Sequence, residues 1–444
     1  MTVRSKAQRI VVVGAGLAGL RAAERLREQG FDGELVIVGE EKQRPYQRPA
    51  LSKQFLTGAL RAGDLALRSY VELDARWRLG TPVHRLEPAR HVLHLPGGEE
   101  LRYDGLVIAT GVQARHLDGA PRHDPRVHVL RGLADAVALR DALLGSSGPI
   151  AVLGGGFTSC EVAATCRSLG REVHLVSRSP LLLERALGGA MGARLGELHR
   201  AHGVRLALGV EVRRWIPQGW SMGMLLSDGQ LLLAECVVLA VGGVPAVDWL
   251  RGSGLVLEDG ILCGPTCHAV GASDIVVAGD VARWPNLRFD AVPRRVEHWL
   301  NAVEMGRAAA ENLLAGQQSA TPFTPLPRFW SEQHGVRLQA AGMPSLGEDT
   351  VRLAGRPERG AGIAGYLRDG RLVGLVGQES PRGMLHWTSA LAKPAPQPQP
   401  QSQPQSQPLP RQRFTPMRQP AASRASLASW QLGRAARSQV RANN

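Results

Sequence analysis

The chain opens on a repeating pattern of apolar runs broken by glycine. Residues 10–13, IVVV, are followed by Gly14, Gly16 and Gly19 and then by LRAAERLREQ. A short, wholly apolar run ending in glycine has the pattern of a strand buried on both faces. The segment after it has a helical period and stops at Gly30, a fitting residue for the position just past a helix end. A second apolar run over residues 34–38 predicts a second strand, and Glu40 follows it, 21 residues after Gly19. The whole pattern then returns. Residues 150–153 predict a strand, Gly154, Gly155 and Gly156 follow, a helix runs to Leu169 and Gly170, and residues 172–176 predict the next strand. The two units lie 140 residues apart, so the architecture is a duplicated α/β unit with two Rossmann-like sheets.

Between and after these units the pattern is less regular. Residues 43–58, QRPYQRPALSKQFLTG, are rich in proline and glutamine and predict irregular structure at the strands' C-terminal edge. Residues 101–111, LRYDGLVIATG, predict a buried strand ending in Ala-Thr-Gly. Residues 113–148 predict a crossover with one helix. Residues 231–245 predict a strand and a Gly-Gly-Val-Pro turn, and residues 273–280, SDIVVAGD, a strand ending in Ala-Gly-Asp. A helix is expected over residues 297–314. Short strand-like runs over 321–390, such as GRLVGLVG, predict a small α+β domain. Residues 394–410 hold seven prolines and six glutamines, and the segment 411–444 is basic; both are expected to be disordered. A short helix at SLASWQLGRAARSQVR is the one element predicted there.

Composition narrows the function classes. The net charge is +14, of which eight charges fall in residues 391–444, leaving +6 on the body. Only four of the 53 basic residues are lysines, a bias that reads as genome composition. A modestly basic body suits an acidic protein partner; nucleic acid is not the expected partner. Five cysteines, an odd and scattered set, predict free thiols in a reducing, cytoplasmic compartment. The nearest approach to a membrane span, LLLAECVVLAVGGVPAV, is interrupted by Glu235 and the Gly-Gly-Val-Pro break, so no membrane association is expected.

The chemistry lies in the glycine loops. In G-x-G-x-x-G, the first glycine permits a tight turn, the second lets a pyrophosphate approach the backbone, and the third lets helix and strand pack closely. The uncapped helix N-terminus faces the phosphates, and an acid at the end of the second strand binds a ribose 2′-hydroxyl. Residues 10–40 have every part of this unit.

Taken with the Ala-Thr-Gly and Ala-Gly-Asp strands, the two units resemble the two-dinucleotide flavoproteins of the glutathione reductase superfamily. RPYQRPALSK, GGGFTSCEVAA, VEHWLNA and FWSEQ resemble the FAD-dependent ferredoxin and rubredoxin reductases that serve oxygenases. The resemblance covers residues 8–390. It implies an FAD-binding domain from residues 1–112 and 246–320, an NAD(P)H-binding insert over 113–245, a C-terminal interface domain over 321–390 and a tail over 391–444. It further implies that Gly14, Ala15, Gly16 and Gly19 hold the FAD pyrophosphate and that Glu40 binds the adenosine ribose. Arg48 and Lys53 lie near the flavin, with Lys53 at the isoalloxazine edge. Val83, Ala109, Thr110, Gly111 and Arg131 contact FAD, Asp280 accepts from the ribityl chain, and Trp299 and Trp330 pack at the flavin. Gly154 and Gly156 form the second loop, Glu161 lies near the nicotinamide, and Ser177 and Arg178 lie at the second ribose. The catalytic pair is then Lys53 and Glu161, with FAD and NADPH or NADH as cofactors and a ferredoxin-like iron–sulfur partner. Monomer and homodimer are both compatible.

The chain departs from the family at Ala50, at Thr158 and at Ser159, where the third glycine of the second loop is replaced. It also lacks the acid that NAD-preferring relatives have at Ser177. Cys263-Gly-Pro-Thr-Cys267-His268 has one residue too many for C-x-x-C-H, so neither haem nor metal is expected. Cys160 and Cys166 read as buried packing residues, and His91 and His94 as solvated histidines on a hairpin. Alternatives from the same motifs are an NAD(P)H oxidase, a nitrite-reductase-type reductase subunit, and a regulatory, death-factor-like flavoprotein.

Overall fold

A computed structural model of the chain describes residues 8–356 and 360–392. The predicted tail helix and the Pro/Gln-rich segment lie outside the described residues.

The first glycine unit belongs to a sheet of five parallel strands. Their spatial order is Ile275–Val277, Gly105–Ile108, Arg9–Val13, Glu34–Gly39 and Ala75–Leu79. The chain leaves Arg9–Val13 toward one edge and returns on its other side, which makes a switch point at that strand's C-terminal end. Crevices of this kind are where open α/β sheets bind ligands. Val11, Val12, Ile37, Leu106, Val107, Ile108 and Val276 are fully buried, as strands covered on both faces require. Helix α1 (Leu17–Glu28) packs on the late helix α5 (Trp299–Ala315). Close approach explains Gly306, since a Cβ there would sit 2.4 Å from the Ala18 carbonyl oxygen.

The second unit repeats this design with the order Arg205–Leu208, Val173–Ser177, Ile150–Leu153, Cys236–Leu239 and Val127–Val129, again all parallel. Helices α2 (Leu133–Gly145), α3 (Phe157–Ser168) and α4 (Glu184–Ala201) cover it. Two short strands, Val112–Ala114 and Gly243–Pro245, pair antiparallel where the chain enters and leaves this unit.

Residues 328–378 form a five-stranded antiparallel sheet in the order Arg328–Gln333, Val336–Gly342, Arg371–Gln378, Gly362–Arg368 and Asp349–Gly355. Helix α6 (Pro381–Ala392) closes it and runs two residues past the predicted end of this region. One face of this sheet shares a core with the second unit, through Leu338, Ala340, Tyr366 and Val376 beside Leu182, Leu187 and Met191. Two antiparallel sheets were expected only in part, at the hairpin of His91 and His94 and at the strand within 231–245: Arg85–Glu87 with Val92–His94 and Glu100–Arg102, and Val212–Gln218 with Ser221–Leu226 and Leu231–Ala234. The unexpected strands carry weak signals: Arg85–Glu87 is three residues long, and paired arginines interrupt the alternation in Val212–Gln218. No helix of the described residues is long and apolar enough to cross a membrane.

Candidate functional site

The two glycine loops superpose in their physical logic. Gly14 has φ +116° and Gly154 φ +131°. A Cβ on either would lie 2.2 Å from a carbonyl oxygen, of Ala109 and Ala240 respectively. Each of these glycines donates to the second strand of its unit, Gly14 N to Val38 O and Gly154 N to Val176 O, both at 2.8 Å. Gly16 and Gly156 are the N-caps of α1 and α3, both extended, at φ −98° and −93°, with no side chain capping the first turn. A Cβ on either would meet nothing within 4 Å. An uncapped helix N-terminus beside open space is an anion cradle, and Gly16 and Gly156 each open one.

The third positions differ. A Cβ on Gly19 would stand 2.0 Å from Gly14 O. In the second unit Ser159 is fully buried, and its hydroxyl donates back to Gly156 O at 2.8 Å, so that unit accommodates the side chain. Strand register gives a further correspondence. Val13 pairs with Val38, and Leu153 with Val176. Gly39 therefore corresponds to Ser177, and the exposed Glu40 to the exposed Arg178. Ser177 is buried against Gly155, and its Oγ accepts from Ser179 N at 3.1 Å.

Around the first cradle, Asp280 lies in the one-turn segment Gly279–Val281. Arg131 donates to its Oδ2 at 3.0 Å, and Arg295 to its carbonyl at 3.2 Å. Arg48 donates to Glu41, to Tyr46 Oη at 2.9 Å and to Arg131 O at 3.0 Å. Thr110 Oγ1 donates to Ala246 O at 2.9 Å, and Gly111 takes φ +68°. These contacts tie residues 109–111 to the point where the chain returns from the second unit. Val83 packs, partly buried, on the first unit's core, and Ala15 lies at the loop against it. His298 is the N-cap of α5 and immediately precedes Trp299. Burial pushes its imidazole down to about 4, and its Nδ1 is buried without a partner. Its ring lies 4.6 Å from that of Phe329, which packs edge-on to Phe157 at 5.0 Å. Trp330 points the other way along its strand and is 38% exposed. An open cradle, an orphaned buried nitrogen and a carboxylate held by arginine fit a bound dinucleotide such as FAD.

Lys53 and Glu161 meet at 2.6 Å, although 108 residues separate them. Both are largely buried. Ser52 Oγ donates to the same carboxylate oxygen at 2.6 Å, and Ser331 Oγ donates to the other at 2.8 Å. Thr165 Oγ1, one turn on from Glu161, donates to Ser52 O at 2.8 Å and holds the RPALSK turn against α3. The charge centre is thus built from three parts of the chain. The motifs contain Lys53, Glu161 and Ser331, but Ser52 and Ser331 were not read as site residues. Their signal is their place inside RPALSK and FWSEQ.

All five cysteines are free and buried. Burial pushes the thiols of Cys160, Cys166 and Cys236 up to about 12, and those of Cys263 and Cys267 higher still. Such thiols are unreactive. His91 and His94, expected as solvated histidines, each have a carboxylate companion. Asp274 lies 3.2 Å from His91, across the return of the chain, and Glu87 lies 3.1 Å from His94, on the neighbouring strand.

Comparison with known proteins agrees with this geometry. The family profile described as pyridine nucleotide-disulphide oxidoreductase matches residues 8–306, and that described as reductase C-terminal matches residues 328–409. The chain is 34% identical to the p-cumate 2,3-dioxygenase system ferredoxin–NAD(+) reductase component of Pseudomonas putida, over 85% of this chain and 91% of the relative. It is 32% identical to the benzene 1,2-dioxygenase system ferredoxin–NAD(+) reductase subunit of the same organism, over 85% and 90%. Among solved structures it is similar to the covalent putidaredoxin reductase–putidaredoxin complex, with TM-score 0.82 and 28% identity over 88% of this chain and 94% of that one. A water-forming NADH oxidase from Lactobacillus brevis, 17% identical with TM-score 0.77, shares the fold. The chain belongs to the pyridine nucleotide-disulphide oxidoreductase family, and within it to the members that carry the reductase C-terminal domain.

Proposed function

We propose that this chain is an FAD-dependent reductase that takes electrons from NADPH or NADH and passes them to a small iron–sulfur protein of the ferredoxin type, which in turn supplies an oxygenase. In this reading residues 1–112 and 246–320 bind FAD, residues 113–245 bind the nicotinamide nucleotide, residues 321–390 face the partner, and the protein works in the cytoplasm. The observation that carries it is the cysteine set. Residues 1–159 contain no cysteine, and the five beyond are buried as protonated thiols. No thiol pair stands ready to take electrons within the chain, so they leave directly for an external acceptor. FAD, when bound, supplies the conversion of a two-electron hydride into single electrons. The chain's own residues bind and orient. The Gly16 and Gly156 cradles hold the two pyrophosphates, Glu40 the first ribose and Arg178 the second. Asp280, fixed by Arg131, accepts from the ribityl hydroxyls. Lys53 provides positive charge, and Glu161 fixes Lys53. Trp299 and Trp330 lie on the partner side. The names of the relatives support the reading, since those proteins are ferredoxin–NAD(+) reductases of dioxygenase systems.

Two outcomes are expected. Asp280→Ala removes Arg131's partner along with the ribityl acceptor. It should weaken flavin retention about tenfold, the worth of one charge-assisted hydrogen bond, as read by fluorescence of released FAD. Ferredoxin reduction under NADPH should outpace oxygen reduction. It should slow as salt rises, because the body carries +6 and opposite charge steers encounter. It should also survive removal of residues 394–444. Exclusive two-electron reduction of oxygen, with every acidic ferredoxin inert, would move the protein to the oxidases.

A further inference from the structure

Glu161 sits at the end of a longer buried polar chain. Ser331 is fully buried, and its single hydroxyl proton goes to Glu161 Oε1. Its lone pair therefore accepts, and Gln333 Nε2 donates to it at 3.1 Å. Ser331 and Gln333 are two apart on the strand Arg328–Gln333 and so share a face. Gln333 is 1% exposed. With its amide nitrogen spent on Ser331, its Oε1 faces His199 Nε2 at 3.1 Å. That contact is a hydrogen bond only if His199 carries its proton on Nε2, which leaves Nδ1 bare. His334 Nε2 stands 3.0 Å from that Nδ1 and must be its donor. His334 is half-buried and stacks on His202 at the surface, with ring centroids 4.2 Å apart.

Every proton along this path is assigned by the one before it, and each points toward Glu161. The path crosses α3, the C-terminal sheet and α4, so no single element could have produced it by local preference. Buried polar side chains cost stability unless all are satisfied, and an apolar core would have filled the space more cheaply. Full satisfaction here requires Glu161 to be the acceptor at the end, that is, ionised beside Lys53. Arg167 of α3 also faces the path; it donates to His202 O at 3.0 Å and helps keep His334 neutral. Burial holds His199 down at about 4 and His334 at about 3.

We propose that Gln333 and His199 are positioning residues for Glu161: His199 locks the Gln333 amide in the orientation that makes Ser331 donate to the carboxylate. Without His199 the amide is free to turn, Ser331 then donates to Gln333 Oε1, and Glu161 loses one of its three donors. The inference rests on the reading of Lys53 and Glu161 as the catalytic pair.

The test uses the full-length holoenzyme of five forms: wild type, Glu161→Gln, Ser331→Ala, Gln333→Met and His199→Leu, with His199→Gln as the conservative rescue. Two quantities are read. One is the rate at which NADPH reduces the bound flavin, as a function of pH and nucleotide concentration. The other, independent of turnover, is the carboxylate infrared band that Glu161→Gln deletes, followed against pH. Losing one donor destabilises the anion by about one hydrogen bond to a charged group. The carboxylate titration should therefore move up by about one pH unit in Ser331→Ala and His199→Leu, whereas Gln333→Met offers Ser331 no competing acceptor and should titrate like wild type. In Ser331→Ala and His199→Leu flavin reduction should slow about tenfold at saturating NADPH, with half-saturation unchanged. His199→Gln should restore both. Should His199→Leu fail to fold, His199→Met, an unbranched apolar side chain, makes the same test. If Glu161→Gln slows reduction while Ser331→Ala and the apolar His199 variant titrate like wild type, the positioning role is overturned and the catalytic pair stands. If Glu161→Gln reduces as fast as wild type, both fall.

Discussion

A Gly16→Val protein is expected to fold as well as the wild-type apoprotein and to purify colourless. The expectation rests on what surrounds this glycine. Gly16 has φ −98°, which any residue adopts, and a Cβ there meets no heavy atom within 4 Å. The substitution therefore puts no strain on the protein itself. It places two methyl groups where a pyrophosphate must approach the first turn of α1. Losing two charge-assisted hydrogen bonds at about 1.5–3 kcal/mol each weakens binding on the order of 100-fold or more. Neighbouring glycines predict the opposite behaviour. Gly14→Val and Gly19→Val drive a side chain into backbone oxygen at 2.2 and 2.0 Å and should not yield folded protein. The second loop supplies the complementary experiment. Gly156→Val should purify yellow, with full flavin, yet be reduced by NADPH only at very high concentration. Thermal unfolding with and without added FAD checks the first variant, since a ligand that binds the native state raises its melting temperature. A yellow Gly16→Val protein with full flavin would take the first cradle away from FAD.

The duplicated fold was legible because parallel strands buried on both faces leave contiguous apolar runs, as over residues 10–13 and 150–153, and because glycine is required at 14 and 154 by φ and by contact together. The antiparallel strand Val212–Gln218 left no such trace. Its sequence, VRRWIPQ, puts arginines in mid-strand, and only a partial face is covered. The site was legible in its motifs and not in its connections. Lys53 and Glu161 stood out singly, but their pairing joins positions 108 residues apart, and Ser331 reaches Glu161 across 170. His199 carried no signal at all: one histidine near the end of a helix is ordinary, and its meaning depends on Gln333 arriving from another sheet. Neighbours set by topology are invisible to a local pattern, which explains why the elements were clear and the buried polar chain was not.

The second ribose site decides which nicotinamide nucleotide serves best, and NADPH is expected to be used at least as well as NADH. In the first unit the residue two beyond Val38 is Glu40, and the register of the second unit gives Arg178 the corresponding place, two beyond Val176. An acid there accepts from a 2′-hydroxyl and repels a 2′-phosphate. A guanidinium has no acceptor for the hydroxyl but presents two parallel N–H groups to a phosphate. Arg178 is exposed at the loop, with Ser177 buried behind it and Ser179 N anchored on Ser177 Oγ, so the backbone is fixed while the long side chain remains free to meet the nucleotide. The curated relatives are named for NAD(+), and the resemblance puts the acid of NAD-preferring relatives at Ser177, immediately before Arg178. Arg178→Ala should lower kcat/KM for NADPH about tenfold to a hundredfold, the range of a charged hydrogen-bond pair, and leave NADH nearly unchanged. Arg178→Glu should go further and reverse the preference, because repulsion of the phosphate adds to the lost contact. The effect should reside in KM, as the ribose phosphate is remote from the transferred hydride and binds ground and transition states alike. Steady-state kinetics of ferredoxin reduction with both nucleotides at low and high salt measure it directly. A strong preference for NADH in the wild type, unaltered in Arg178→Ala, would remove Arg178 from the ribose site and return the specificity to Ser177 and the loop around it.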